Sequence, residues 1–428
     1  MQNDADFTAD VTILGGGPTG CALALWLARR APDPARIILC HSGRASPTAP
    51  TRQPGAAPAA AAPDSGTSTA PSRPGPSAAD ALQLDARVLA LNRGSRLLLE
   101  RLGVWPEGGA AIHTIHVSQA GRLGRTLIRN DDFGVAELGT VFRYPQVVMA
   151  LQDAVRDSAI RLRVGEARVL RETSDWVWVE QNGITWRTRL VVQAEGDSSQ
   201  HPDARIMQRG YNQHAVLALV QAERPAPQVA WERFTREGPL ALLPVSSPHA
   251  HDTTALYAVV WCCHPQRAAA LTALPDDAFS DAITAAFGTR MGHLHVVGPR
   301  HAAPLTLRWR HNTIAPRRVV IGNAAQTLHP VAGQGLNLGF RDAAQLADSL
   351  HPWLSQADTP VVHYLHEFDQ ARRPDRYLTA CITDFLPRVF TTRQSLVEHA
   401  AGGALLLLDL FPTLRRPLAR HLMLGWRT

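Results

Sequence analysis

The hydrophobic pattern of this chain begins with a short apolar run at residues 10–14, a glycine-rich turn and a longer apolar stretch at 22–28. A short apolar run that ends in glycine predicts a buried strand, and the longer stretch predicts a helix. A second apolar run at 37–41 completes a strand–helix–strand unit. Such a unit is typical of an α/β fold.

Apolar and polar residues alternate through the middle of the chain, which predicts strands. These strands are at residues 113–118, 126–128, 161–164, 176–180, 185–192, 215–220, 240–244 and 255–261. We expect the three from 161 to 192 to form a small antiparallel meander. Helical spacing predicts helices at 146–156 and 276–287, and a proline that disfavours a helix interior separates two more, at 363–371 and 377–385.

One segment departs from this pattern. Residues 44–79 are almost entirely Ala, Pro, Ser, Thr and Gly, a composition that buries too little apolar surface to offset the entropy of ordering. We expect a disordered surface insert; a proline-rich interaction tether is the alternative.

Two glycine-rich loops carry the candidate chemistry. Gly15, Gly17 and Gly20 form a G-x-G-x-x-G directly after the first predicted strand, the pattern of a dinucleotide site. The second loop follows an apolar run at 318–322 and reads H-P-V-A-G-Q-G-L-N-L-G-F-R-D at residues 329–342. Its glycines let backbone approach a ligand closely, and the N–H groups of the following helix suit an anion or an electron-rich ring. Together the two loops predict FAD.

The second loop resembles the H-P-x-A-G-Q-G-x-N-x-G-x-x-D pattern of the UbiH-type aromatic hydroxylases of ubiquinone biosynthesis, which are single-component flavin monooxygenases. Residues 85–91 look like the D-x-R-x-x-A-L segment of that family, and residues 103–105 and 424–426 also resemble it. The resemblance covers nearly the whole chain apart from the insert. It implies an α/β fold: a Rossmann-like FAD-binding domain, an inserted antiparallel-sheet substrate domain and a helical C-terminal region.

The resemblance also divides the chain. The FAD-binding domain is expected to be discontinuous, at 1–110, 147–205 and 295–358, and to contain the insert at 44–79. Residues 111–146 and 206–294 are expected to form the substrate-domain sheet. The C-terminal helices are expected at 359–428.

The family pattern implies site residues. The expected cofactor-binding residues are Gly15, Gly17, Gly20, Arg87, Asn323, Pro330, Gly333, Gln334, Gly335 and Asn337. His329 and Pro330 are the catalytic candidates, and we expect His329 to position the flavin rather than to transfer protons. Asp342 is expected to order the loop or its helix. The amides of Gln334 and Asn337 either hold flavin edges or satisfy the loop backbone.

The implied activity is hydroxylation of the aromatic ring of a polyprenyl phenol. In such enzymes reduced FAD and dioxygen form a C4a-hydroperoxide that transfers one oxygen atom to the ring. The electron donor is NAD(P)H or another reductant, and the chain carries no second nucleotide fingerprint. A ubiquinone-biosynthesis complex is the expected partner.

Several positions depart from the family pattern. His41 stands at the end of the second strand, where an acidic residue is normal, and Glu195 replaces an aspartate. Asn323 and Gln326 replace a carboxylate and an imidazole. These changes motivate an alternative, a flavin-poor homologue that serves as a structural or regulatory subunit. A third hypothesis is an FAD oxidoreductase acting on another aromatic compound.

Composition bears on the number of domains and on the kinds of ligand. The 428 residues exceed one ordinary core, and the net charge of +6, carried by arginine without lysine, is too modest and dispersed to indicate nucleic acid. The five cysteines and eighteen histidines show no metal-binding spacing, so we expect reduced thiols and no metal.

Targeting signals are also absent from the sequence pattern. No secretory signal or spanning apolar run is visible, and we expect a cytoplasmic protein. Residues 404–424 mix leucine and arginine at helical spacing, so these helices either lie on the inner face of a bacterial cytoplasmic membrane or pack on the core.

Overall fold

The computed structural model describes residues 7–43, 86–122, 124–196, 206–246, 256–391 and 394–425. The predicted insert at 44–79 lies outside these residues, as do Asp85 and Trp426 of the segments that carry the family resemblance.

The described residues form strands and helices that we number in chain order. The strands are β1 (Thr8–Leu14), β2 (Ile37–His41), β3 (Val88–Asn92), β4 (Ala110–Ile112), β5 (Thr114–Gln119), β6 (Arg125–Arg129), β7 (Gly139–Arg143), β8 (Arg161–Val164), β9 (Ala167–Glu172), β10 (Val177–Gln181), β11 (Ile184–Gln193), β12 (Ile206–Ala222), β13 (Val229–Phe234), β14 (Pro239–Val245), β15 (Leu256–Cys263), β16 (Leu294–Arg310), β17 (Ile314–Ala315), β18 (Arg318–Val320) and β19 (Gln326–Thr327). The α-helices are α1 (Pro18–Ala28), α2 (Arg93–Arg101), α3 (Tyr144–Arg156), α4 (Pro265–Ala273), α5 (Asp276–Phe287), α6 (Gln334–Leu354), α7 (Val362–Thr391), α8 (Ser395–Leu410) and α9 (Pro412–Leu424).

The first sheet has the strand order β17-β18-β11-β1-β2-β8, and β10 pairs with β11 and β9 beside this path. Its pairings are parallel except for β17–β18, β10–β11 and β9–β10. Helix α1 is apolar on nearly all sides because it is buried between this sheet and α6. The largest apolar core lies here, where α1, α3 and α6 cover the sheet.

The second sheet has the order β19-β16-β12-β15-β14-β13-β5-β6 and is antiparallel except where β13 pairs with β5. Side chains alternate between its two faces. One face, with Trp231, Tyr257 and Trp261, packs against α4 and α5. The other face is turned toward the glycine-rich loop before α6.

A small third sheet, β3-β7-β4, accompanies the first and second sheets. Helices α7, α8 and α9 follow at the C-terminal end. The predicted α/β fold with an inserted, mainly antiparallel sheet and a helical C-terminal region is confirmed.

Two expectations about local structure were wrong. Residues 161–164 form β8, which pairs in parallel with β2, so the meander is β9-β10-β11. Helix α7 is also continuous through Pro374. A proline inside a helix costs about 3 kcal/mol, but Arg372, Asp375 and Arg376 on the same turns are buried in an ionic network, which offsets that cost.

Candidate active site

The N-terminal glycine turn combines close packing with one open position. A Cβ on Gly15 would lie 2.7 Å from the carbonyl carbon of Ala194, and one on Gly20 would lie 1.9 Å from the Gly15 oxygen. A Cβ on Gly17, by contrast, would meet no atom within 4 Å. Gly17 is the N-cap of α1 and offers no side-chain cap, so the start of the helix is uncapped beside this open position. The turn therefore has the shape and polarity of a phosphate cradle.

The two glycine motifs meet at Thr19 in the first turn of α1. A Cβ on Gly339 would lie 2.5 Å from the Thr19 Oγ1, and one on Gly322 would lie 3.0 Å from the Thr19 Cγ2. Only glycine permits this approach of α6 to α1. The contact brings the two predicted cofactor loops together.

The loop before α6 has an unusual backbone. Ala332 and Gly333 are both left-handed, with φ of 60° and 58°, and the Gly333 N–H donates to the Pro330 carbonyl at 2.9 Å. Helix α6 then begins at Gln334 without a side-chain cap and without an acidic residue in its first turn. Its N-terminal pole therefore faces the adjoining cavity, which Pro330, Gly333 and Gly335 help to line.

Gln334 carries an acceptor that the described protein does not satisfy. Its Nε2 donates to the Ala332 carbonyl at 2.9 Å, while its Oε1 is buried and has no hydrogen-bond partner. A buried acceptor without a partner is costly. A ligand that brings an N–H group to this loop would remove that cost.

Asn337 is fully engaged with the protein. Its Oδ1 accepts from the Asn92 N–H at 3.0 Å and from the Ser95 hydroxyl at 2.7 Å. Its Nδ2 donates to the carbonyls of Ala90 and Gly333 at 2.9 and 2.8 Å. Asn337 thus fastens the loop to β3 and α2. We propose that it fixes the shape of the cofactor site from the side of the loop that faces the protein.

Asp342 joins three elements. It accepts from the Gly322 N–H at 3.1 Å, from the Gln326 Nε2 at 3.0 Å and from the Arg372 Nε at 2.8 Å. The Oε1 of Gln326 in turn accepts from the Arg376 Nε at 2.7 Å. The amide at position 326 is therefore fully used, bridging a buried carboxylate and a buried guanidinium.

His329 is buried and neutral. Burial lowers its pKa to about 4. Its Nδ1 accepts from the Val331 N–H at 3.2 Å, so the proton belongs on Nε2, which lies 3.3 Å from the Gln213 Oε1. The ring also contacts Tyr211 edge-on at 4.9 Å. These contacts suit a residue that holds the loop in place.

Of two further predicted cofactor residues, one lines the cavity and the other does not. Asn323 is exposed and lines the cavity. Arg87 does not line it; its guanidinium is stacked over the Tyr144 ring at 5.0 Å.

The positions that replace acidic family residues lie near the N-terminal turn. A Cβ on Gly16 would come within 2.4 Å of the His41 ring, so the imidazole covers this turn. Burial, followed by the nearby Glu166, raises the pKa of Glu195.

A cavity of about 440 Å³ lies between the loop and the second sheet. Its walls come from β3, β5, β6, β13 and β14, from residues 327–337, and from α7, α8 and α9. Most of the lining is apolar, and Glu232 on β13 is a carboxylate among these side chains. The sequence pattern did not reveal β13, because apolar and polar residues do not alternate through Val229–Phe234; its valine and two aromatic residues are the signal that favours a strand.

The C-terminal helices cover the cavity and expose a second apolar surface. Leu405, Leu408 and Leu422 line the cavity. Leu407, Leu410, Phe411 and Leu414 are more than half exposed on the outer side. None of the helices in the described part of the chain combines the length and the apolar character needed to cross a membrane. Likewise, the described residues contain no cluster of side chains suited to a metal ion.

Comparison with known proteins gives a consistent picture. Residues 172–374 match a family model described as an FAD binding domain. The chain is 30% identical to an uncharacterized protein of Synechocystis over 78% of this chain and 82% of that protein. It is 29% identical to the ubiquinone hydroxylase UbiL of Rhodospirillum rubrum over 99% and 91%, and 28% identical to the human mitochondrial ubiquinone biosynthesis monooxygenase COQ6 over 72% and 76%.

Solved structures agree in fold. The p-nitrophenol 4-monooxygenase PnpA of Pseudomonas putida superposes with a TM-score of 0.71 over 98% of this chain and 100% of that one, at 14% identity. The flavin-dependent brominase Bmp2 gives 0.69 over 98% and 94%, at 12% identity.

Proposed function

This chain belongs to the FAD-dependent hydroxylases of ubiquinone biosynthesis, and we propose that it hydroxylates the aromatic ring of a polyprenyl phenol. The observation that supports this substrate is the cavity, which extends from the loop before α6 to the C-terminal helices and is mainly apolar. A cavity with those walls suits a ring with a hydrocarbon tail.

The residues present fit FAD. The open space at Gly17 and the uncapped start of α1 would hold the pyrophosphate. The loop from Pro330 to Gly335 and the unsatisfied Oε1 of Gln334 would hold the isoalloxazine ring. Bound FAD supplies the redox chemistry with dioxygen that aromatic hydroxylation requires.

The protein's own side chains prepare this site. Asn337 and Asp342 fix the loop through hydrogen bonds that do not depend on a ligand. His329 remains neutral and orders the loop through the Val331 N–H. The apolar walls keep water from the reacting ring. In this proposal the uncharged amide of Gln326 supports the fold, and the uncharged amide of Asn323 lines the cavity.

We also propose that the C-terminal helices meet the membrane. Leu410, Phe411 and Leu414 are 63%, 51% and 59% exposed, and Arg416 and Arg420 on α9 are exposed as well. Leucines that enter the lipid and arginines that meet its phosphates are typical of a helix on a membrane surface. Because the same helices form one wall of the cavity, a polyprenyl tail could remain in the bilayer while its ring enters the site.

The first experiment measures FAD bound to the purified protein and its oxygen-dependent hydroxylation of a phenol with one isoprene unit. We expect near-stoichiometric FAD and a hydroxylated product identified by mass spectrometry. Failure to bind FAD at high concentration would favour the structural subunit. FAD binding with hydroxylation of another aromatic compound only would favour the third hypothesis.

A further inference from the structure

Glu232 lies in the middle of the sheet face that lines the cavity. In the strand register it is opposite Val117 on β5 and Ala241 on β14. The same row continues to Val260 on β15 and to Thr126 on β6. All five side chains of this row line the cavity, so the Glu232 carboxylate points into it from a largely apolar wall.

The carboxylate has no partner within the described protein. Neither a hydrogen bond nor an ion pair to it is present among these residues, and its same-face neighbours on β13 are Ala230 and Phe234. Burial raises its pKa to about 7. A half-buried carboxylate that faces an apolar cavity without a partner is costly for the fold. A ligand that donates a hydrogen bond in the cavity would supply the missing partner.

The other charged and titratable groups around the cavity behave differently near neutral pH. His329 stays neutral because burial lowers its pKa to about 4. Cys262 on β15 stays a thiol because burial raises its pKa, with Glu232 as a further cause. Arg415 on α9 is engaged by Asp132 at 2.9 Å. Among the described groups that face the cavity, Glu232 is therefore the one that changes charge between about pH 5 and pH 8.

We propose that Glu232 accepts the hydroxyl proton of the phenolic substrate, an inference that rests on the function proposed above. The phenolic O–H bond breaks, a carboxyl O–H bond forms on Glu232, and the electron pair stays on the phenolate oxygen. That oxygen then donates electron density to the ring, which favours attack by an electrophilic oxygen atom. The proton returns to the product hydroxyl, so the step consumes no oxidant or reductant.

The test measures binding, without a reductant, so that no turnover occurs. The probes are 2-prenylphenol and its methyl ether, titrated into the oxidised FAD-loaded protein by calorimetry between about pH 5.5 and pH 8. Ultraviolet difference spectra report whether the bound phenol is ionised. The variant is Glu232→Gln, and the matched control is Glu237→Gln, an exposed carboxylate just beyond the same strand.

We expect the wild type and Glu237→Gln to prefer the phenol over the ether by about tenfold or more at pH 8. This preference should fall toward pH 5.5 as the carboxylate gains a proton, and a phenolate band should appear at pH 8. Glu232→Gln should bind the ether normally but show no phenolate band and a preference independent of pH.

An unchanged preference and phenolate band in Glu232→Gln would overturn the inference and leave the substrate class intact. If neither probe binds the wild type, both the inference and the proposed substrate fail. If Glu232→Gln does not retain FAD, the titration of the wild type still tests the inference. A wild-type preference for the phenol over the ether that does not change with pH would overturn the proton transfer.

Discussion

Two glycines three residues apart in the first motif should respond to the same substitution in opposite ways. Gly17 has φ −76° and ψ 178°, a conformation open to any residue, and a Cβ there meets no atom within 4 Å. Gly20→Ala instead places a Cβ 1.9 Å from the Gly15 carbonyl oxygen. Gly17→Ala should therefore leave the fold intact and occupy the space proposed for the pyrophosphate, whereas Gly20→Ala should disturb the fold itself.

The magnitudes follow from these contacts. Gly17→Ala should change the stability of the FAD-free protein by less than about 1 kcal/mol, since no contact is lost and alanine restricts the unfolded chain. Losing one or two charge-assisted hydrogen bonds to phosphate, at about 1.5 kcal/mol each, should weaken FAD binding roughly 10- to 100-fold. Gly20→Ala should cost about 1–3 kcal/mol or more through overpacking.

The assay has two parts. Urea unfolding of the FAD-free proteins gives their stability, and quenching of flavin fluorescence during titration gives the dissociation constant for FAD. Gly403→Ala is the control, because a Cβ at this helical glycine also meets no atom within 4 Å and lies away from the motif. If Gly17→Ala binds FAD within about twofold of the wild type, the phosphate cradle is misplaced.

Three further predictions address the loop and the helices around the cavity. Asp342→Asn should lower the free energy of unfolding by about 3 kcal/mol, because Arg372 loses one of its two buried counter-ions and keeps only Asp375. Asp348→Asn on the exposed side of α6 should cost less than about 1 kcal/mol, and equal losses in urea unfolding would refute the role of the network. His329 has a folded pKa of about 4, below the ordinary 6.5, so the unfolded chain takes up a proton first as pH falls. The wild type should therefore lose up to about 3 kcal/mol more stability than His329→Gln between pH 6.5 and pH 4, and parallel pH profiles would show that the histidine is not buried as described. The double change Leu410→Glu and Phe411→Glu should abolish co-sedimentation with anionic lipid vesicles, while Met207→Glu, a change at an exposed apolar residue on β12, should not; sedimentation of both variants would place the membrane contact elsewhere.

Local patterns in the sequence predicted much of this fold. The apolar runs predicted β1, β2 and α1, and α5 begins and ends at the predicted residues. These predictions succeeded because short-range periodicity and glycine chemistry act within a few residues. The family motif likewise predicted FAD and the class of enzyme, because the residues of the motif lie close together in the chain.

Long-range contacts decided the rest. The sequence placed a break at Pro374, but burial of Arg372 against Asp342, 30 residues away, sustains one helix there. From the sequence alone, the amide of Asn337 has a donor and an acceptor suited to a flavin. In the structure its four hydrogen bonds go instead to residues 90–95 and Gly333.

Glu232 shows the same division most clearly. The sequence by itself determined only that an acidic residue stands between Trp231 and Arg233. Only pairing of β13 with β5 and β14 placed it in an apolar row facing the loop before α6. The register with β5 joins Glu232 to Val117, which precedes it by more than 100 residues. The pKa of a carboxylate follows from its surroundings in the folded chain rather than from its neighbours in sequence.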